Sequence, residues 1–61
     1  MFVGDDDQAA LITAILTAAL ARSSGTTDPR EAAALFQAVA VALAEQGVIE
    51  VAVAKRIHEP V

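Results

Sequence analysis

The sequence predicts an all-α, self-associating protein: an antiparallel helical hairpin followed by a short third helix. Three observations support this fold class. Large apolar residues recur at three- and four-residue spacing through two long segments. Residues that start and stop helices stand at the ends of these segments. The connection between them is short and polar, and short connections make neighbouring helices antiparallel. Because the chain has only 61 residues, we expect residues 1–61 to form a single small domain.

We expect the first helix at about residues 6–22. Its start carries three consecutive Asp residues, which suit the positive end of the helix dipole, and Arg22 suits the other end. The large apolar side chains cover roughly half of the helical wheel, which is too wide for one partner helix. We predict that they form a surface for self-association; they are Leu11, Ile12, Ile15, Leu16 and Leu20. The side chains on the remaining side are small enough to let another helix approach closely. It consists of Ala10, Thr13, Ala14, Thr17, Ala18 and Ala21.

A polar loop at residues 23–28 leads into a second helix at about residues 29–46. Asp28 can accept hydrogen bonds from the free amides of the first turn, and Pro29 suits the first helical position. Gly47 can adopt the left-handed conformation that ends a helix. One narrow arc of this helix is the predicted core side; it carries Leu35, Phe36, Val39 and Leu43. Val41 lies on the opposite side, either as a single exposed residue or as part of a second packing face, and we group it with the association surface.

The segment at about residues 50–58 is compatible with either a helix or a strand. Ile49, Val53 and Ile57 recur at every fourth residue, and basic residues gather near the end of the segment, so we favour a short helix with these three residues in the core. The β-branched residues favour the alternative, a strand that pairs with residues 1–3 (Met1 to Val3) or with another copy. Because an open strand edge is an aggregation hazard, the strand also predicts a multimer.

Charge and hydropathy argue against several classes of partner. The net charge is −4, and the four basic residues are too few for a nucleic-acid surface. The longest stretch of low polarity, residues 9–21, is shorter than the roughly 20 residues that a bilayer requires, so we expect no membrane partner. The acidic start does not resemble a secretory signal peptide. A cytoplasmic location is the default expectation.

The sequence offers no pattern that predicts a catalytic, cofactor-binding or metal site, and no small-molecule substrate. It contains no Cys and one His, which argues against disulfides and a structural zinc site. The run Asp5 to Asp7 lacks the alternating ligands of a calcium loop. His58 beside Glu59 has no nucleophile near it in the sequence, so we expect a solvated pair at the terminus. We therefore expect a protein that is not an enzyme.

A chain of this size buries only about 60% of its unfolded surface, so association is the remaining source of stability. We predict a non-catalytic structural or protein-interaction protein that forms a homo-oligomer or serves as a small subunit of a larger assembly. The Ala-rich composition, with more Arg than Lys, is typical of GC-rich bacterial or phage coding, and a phage protein could be a virion component. The alternative is a small acidic regulator or inhibitor that binds a basic site on another protein.

Overall fold

The computed structural model describes residues 5–58. It contains three helices: α1 (Asp6–Ser24), α2 (Pro29–Glu45) and α3 (Val51–His58). Each helix packs against the other two. The prediction of an all-helical protein is confirmed for this part of the chain, which contains three helices and no strand. The strand alternative is wrong for residues 51–58, because their four-residue spacing of apolar side chains is satisfied by helical packing. The proposed strand partner, residues 1–3, lies outside the described residues.

Both long helices begin at an Asp that caps the first turn. Asp5 and Asp28 have extended backbone conformations. The Asp5 carboxylate accepts hydrogen bonds from the backbone N–H groups of Asp7, at 2.9 Å, and Gln8, at 3.4 Å. Asp28 accepts one from the N–H of Arg30 at 2.9 Å, directly after Pro29. These bonds satisfy amides that have no partner inside a helix, which explains why the helices start where they do.

Both long helices end at a glycine in the left-handed conformation. The φ angles are +70° at Gly25 and +75° at Gly47. In each case the residue after the glycine donates its N–H to the carbonyl five positions earlier, which is the Schellman arrangement. The two bonds run from Thr26 to Ala21 and from Val48 to Leu43, each 2.9 Å long. Helix α1 therefore continues through Ser23 and Ser24, which the sequence analysis placed in the loop, and the connection shortens to residues 25–28.

The fully buried core is small, and alanine is its commonest residue. Its members are Ala9, Ala40, Ile49, Val53 and Ala54. Partly buried side chains surround it; they are Ile12, Leu43, Ala44, Val48 and Ile57. Of the predicted core residues, Val39, Ile49 and Val53 are buried, whereas Leu35, Phe36, Leu43 and Ile57 are only half-buried. The helices thus meet through small side chains, and much of the larger apolar volume lies toward the outside.

Helix α1 turns a stripe of small residues inward. Ala9 and Thr13 are fully buried and Thr17 is nearly so. Each threonine hydroxyl donates to the carbonyl four residues earlier: Thr13 to Ala9 at 2.8 Å and Thr17 to Thr13 at 2.7 Å. Because these bonds stay within the helix, the buried hydroxyls need no partner on another helix. The two threonines therefore act in packing as small side chains.

Candidate protein-interaction surface

Helix α1 carries four large aliphatic residues that the fold leaves uncovered. The exposed fractions are 60% for Leu11, 60% for Ile15, 41% for Leu16 and 50% for Leu20. We call these four residues the α1 face. The exposure of Leu11 and Ile15 follows from the choice of inward side, because they lie opposite the stripe through Ala9, Thr13 and Thr17. Leu16 and Leu20 lie close to this stripe on the helical wheel and are exposed nevertheless. The sequence analysis predicted all four as association residues.

The α1 face lies within an uncharged stretch that has opposite charges at its two ends. No residue between Gln8 and Ala21 is ionisable. Exposed acidic side chains stand before this stretch, and the exposed Arg22 follows it. The surface is therefore apolar in its middle and electrically asymmetric along the helix axis.

The other predicted association residues differ in their surroundings. Ile12 is half-buried and packs against the core cluster, so the monomer already uses part of its surface. Val41 is 42% exposed on α2. Val51, which the sequence analysis did not select, is 63% exposed on α3. A helical wheel of α3 contains the signal, because Val51 is two residues before the buried Val53 and therefore lies on nearly the opposite side.

Val41 and Val51 line an open groove between α2 and α3 with a volume of about 340 Å³. Its other lining residues are Ala44, Glu45, Ala54, Lys55 and His58. A second open groove, of about 490 Å³, is lined mainly by small residues of α1 and α2, with Phe36 and Ile57 beside them. Both grooves are predominantly apolar and shallow, so they suit contact with another apolar surface better than capture of a charged small molecule.

The single imidazole, that of His58, borders both grooves. His58 is half-buried. Its Nδ1 is shielded from solvent and has no hydrogen-bond partner among residues 5–58. Within the same residues, no three His, Asp or Glu side chains come close enough to hold a metal ion. Glu59, which the sequence analysis paired with His58, lies outside the described part of the chain.

One ion pair joins the two ends of the described chain. The guanidinium of Arg56 on α3 donates from Nε and Nη2 to the two carboxylate oxygens of Asp6 on α1, each at 2.8 Å. This hydrogen bonding lowers the pKa of Asp6, with a smaller contribution from the positive charge of Arg56, and it raises the pKa of Arg56. The sequence analysis considered Asp6 only as part of the acidic start of the first helix and Arg56 only as one of the basic residues near the end of the third, so it missed the pair. No local signal exists for a contact between residues fifty positions apart.

Across residues 5–58, none of the helices combines the length and the apolar character needed to cross a bilayer. No protein-family model, curated protein or solved structure matches the chain.

Proposed function

We propose that this protein is a non-catalytic structural or protein-interaction unit that self-associates through the α1 face. One observation carries the proposal: the core is built largely of alanine, while four large aliphatic side chains of the same molecule are 41% to 60% exposed. Contiguous exposed apolar surface marks interaction sites on soluble proteins. Covering these side chains would also stabilise a domain whose own core is small.

Two structural details belong to this proposal. First, α1 and α2 form an antiparallel hairpin; their contact and their four-residue connection support this arrangement. Second, association adds Val41 of the α2–α3 groove to the contact area, which its exposure supports. Apolar contact alone supplies the binding free energy, so the role requires no catalytic group, cofactor or metal ion.

The preferred assembly is a homo-oligomer, because an apolar patch can contact the same patch on a second copy and then needs no second kind of chain. In the other form of assembly, the protein is a small subunit of a larger bacterial or phage complex and binds its partner through the same surface. The corresponding location is the cytoplasm, or the virion for a phage component.

Sedimentation velocity across the micromolar range tests the proposal. The wild-type chain should sediment as a dimer or larger species, and Ile15→Glu should shift it to the monomer mass of 6.3 kDa. A charge at Ile15 would have to lose its hydration in the interface, whereas it stays in water in the monomer. Helical content by circular dichroism should therefore remain unchanged.

The matched control is Gln37→Glu, which adds the same charge at an exposed position of α2. It should leave the sedimentation of the wild type unchanged. The proposal is overturned if the wild type remains at 6.3 kDa at every concentration, or if both variants dissociate equally.

A salt series separates this proposal from an acidic regulator that binds a basic site. Apolar association should persist when ionic strength rises, because salt screens charges and not apolar contact. Complete dissociation of the oligomer in moderate salt would instead indicate binding dominated by charge.

A further inference from the structure

Building on the proposed self-association, we propose that the side of α1 formed by Leu11 and Ile15 docks into the α2–α3 groove of a second copy. In this contact, α1 runs in the opposite direction to α3 of the second copy, so that Asp7 reaches the second copy's Lys55. The shapes of the two surfaces, their lengths and the order of their charges support this arrangement.

Leu11 and Ile15 form a narrow apolar ridge on α1. They lie about 40° apart on the helical wheel, and each is 60% exposed. The residues that flank them are small and exposed; they are Ala14, Ala18 and Ala19. The two large side chains therefore project beyond their neighbours, and we call them the α1 ridge. Leu16 and Leu20 lie on a different side of the helix, so this contact leaves them exposed.

The α2–α3 groove is concave and apolar where the α1 ridge is convex and apolar. Val41 and Val51 are exposed within it, and its volume is about 340 Å³. One of its walls, α3, has eight residues and is therefore about 12 Å long. The stretch of α1 from Asp7 to Ile15 has about the same length, at about 1.5 Å per residue. A ridge in a groove buries apolar area on both copies, which gives the close fit of a specific interface.

The α2–α3 groove has an acidic end and a basic end. Glu45 is the last residue of α2, and it lies where the chain turns towards the start of α3 at Val51. At the other end of α3, His58 also borders the second groove, beside Phe36 of α2. Helix α3 therefore runs back along α2. This direction puts Glu45 at one end of the groove and Lys55 towards the other.

The α1 ridge has charges in an order that matches the groove in one direction only. Asp7 precedes the ridge by four residues and Arg22 follows it by seven, so helical spacing puts both on the same side of α1 as the ridge. When α1 runs opposite to α3 of the second copy, Asp7 approaches Lys55, and Arg22 lies beyond the end marked by Glu45. The reverse direction would bring Asp7 towards Glu45, where like charges repel.

Asp7 and Lys55 are both in a position to make this contact. Of the other acidic residues at the start of α1, Asp5 caps the helix and Asp6 is bound by Arg56. Asp7 and Lys55 are exposed, and neither makes an ion pair within residues 5–58. Charges at the rim of an interface fix its register and direction more than its affinity. An Asp7–Lys55 pair would therefore set the direction of a contact that apolar burial stabilises.

Complementation between two variants tests this docking, because it joins two different surfaces. Ile15→Glu disables the α1 ridge, and Val51→Glu disables the groove. Val51 is 63% exposed in the first turn of α3, where an acidic residue suits the helix dipole, so the fold should be retained. Each variant alone should sediment at the monomer mass of 6.3 kDa. Their equimolar mixture should form a species of twice this mass, because the intact ridge of one variant fits the intact groove of the other.

Two results of this experiment would overturn the docking. The first is a Val51→Glu variant that associates like the wild type. The second is a mixture that stays monomeric at concentrations above those at which the wild type associates. Mixing cannot restore a contact between two identical α1 surfaces, since every such pair would still contain a disabled ridge.

Charge exchange tests the direction of the docked helix. Asp7→Lys and Lys55→Glu should each raise the Kd of association by about threefold to tenfold, because each brings like charges together. The double variant should return to near the wild-type Kd. The matched control is Glu31→Lys, which makes the same change of charge in the first turn of α2 and should leave the Kd unchanged. Unchanged Kd values for both single variants would overturn the proposed direction.

The outcomes distinguish the docking from the self-association on which it rests. A wild-type chain that stays at 6.3 kDa in sedimentation overturns both. A wild-type oligomer that Ile15→Glu dissociates and Val51→Glu leaves intact overturns the docking alone.

Discussion

At the scale of single residues, the contact between Asp6 and Arg56 is the interaction that most clearly depends on the complete fold. It holds the last turn of α3 against the first turn of α1 with two hydrogen bonds. Both side chains are roughly half exposed, so water and salt weaken the attraction between their charges. The bidentate geometry nevertheless defines how the two helix ends meet, because the planar guanidinium matches both carboxylate oxygens.

The pair predicts a pH-dependent difference in stability between the wild type and Asp6→Asn. Because the pKa of Asp6 is lowered in the folded protein, the ionised carboxylate stabilises the fold at pH values above its ordinary pKa. This contribution disappears as the pH falls through the lowered pKa and Asp6 becomes protonated. Thermal unfolding should therefore show a lower Tm for Asp6→Asn at neutral pH and equal Tm values in acid.

The control for this prediction is Asp7→Asn, which removes the same charge from the same helical turn. It should have a smaller effect on monomer stability, since any effect shared by the two variants comes from the helix dipole. Measurements should be made at concentrations low enough to keep each chain monomeric. Identical pH dependence of the two variants would contradict a specific role for the Arg56 contact.

At the scale of helices, the residues that α1 buries are small and are not its most hydrophobic ones. Leu and Ile on the α1 face are more apolar than Ala9, Thr13 and Thr17, yet the latter are buried. Small side chains let α1 approach the other helices closely, and the threonine hydroxyls are satisfied by their own helix. Because Thr13 has no solvent-exposed surface, a larger side chain at this position would have to displace its neighbours.

Substitutions at Thr13 test this close approach. Thr13→Leu should destabilise the protein by about 1–3 kcal/mol, because a longer side chain at a fully buried position forces the helices apart. Thr13→Val should have a smaller effect, since valine has nearly the same shape and the lost hydroxyl bonded only to a carbonyl of its own helix. Urea unfolding provides both values. A Thr13→Leu variant as stable as the wild type would show that the contact is loosely packed.

At the scale of the whole molecule, the few large apolar residues of this chain are divided between the core and the proposed interface. The folded chain is small, with a radius of gyration of 11.0 Å over its Cα atoms. Among the described residues it buries only three aliphatic side chains larger than Ala, those of Val39, Ile49 and Val53. The α1 face contains four large aliphatic residues that are exposed, one more than the buried set. Self-association would therefore contribute to the stability of the fold.

This relation predicts that the Tm of the wild type rises with protein concentration. Binding that occurs only between folded copies stabilises the folded state by mass action. The Tm of Ile15→Glu should not depend on concentration, and that of Gln37→Glu should behave as in the wild type. Differential scanning calorimetry over a series of dilutions measures all three. A wild-type Tm that is constant over the dilution series would argue against coupled folding and association.

The local features of this protein were predictable from its residues, because their causes act within a few positions along the chain. Asp5 and Asp28 cap helices, Gly47 ends one, and four-residue spacing from Ile49 to Ile57 favours a helix. Gly25 follows the same rule as Gly47, so the full length of α1 was also readable. By contrast, a helical wheel divides α1 into a half with large residues and a half with small ones, without showing that the stripe through Ala9, Thr13 and Thr17 is the part that faces inward. That outcome depends on how closely three helices can pack, and the Asp6–Arg56 pair depends on where their ends then meet, so both required the folded structure.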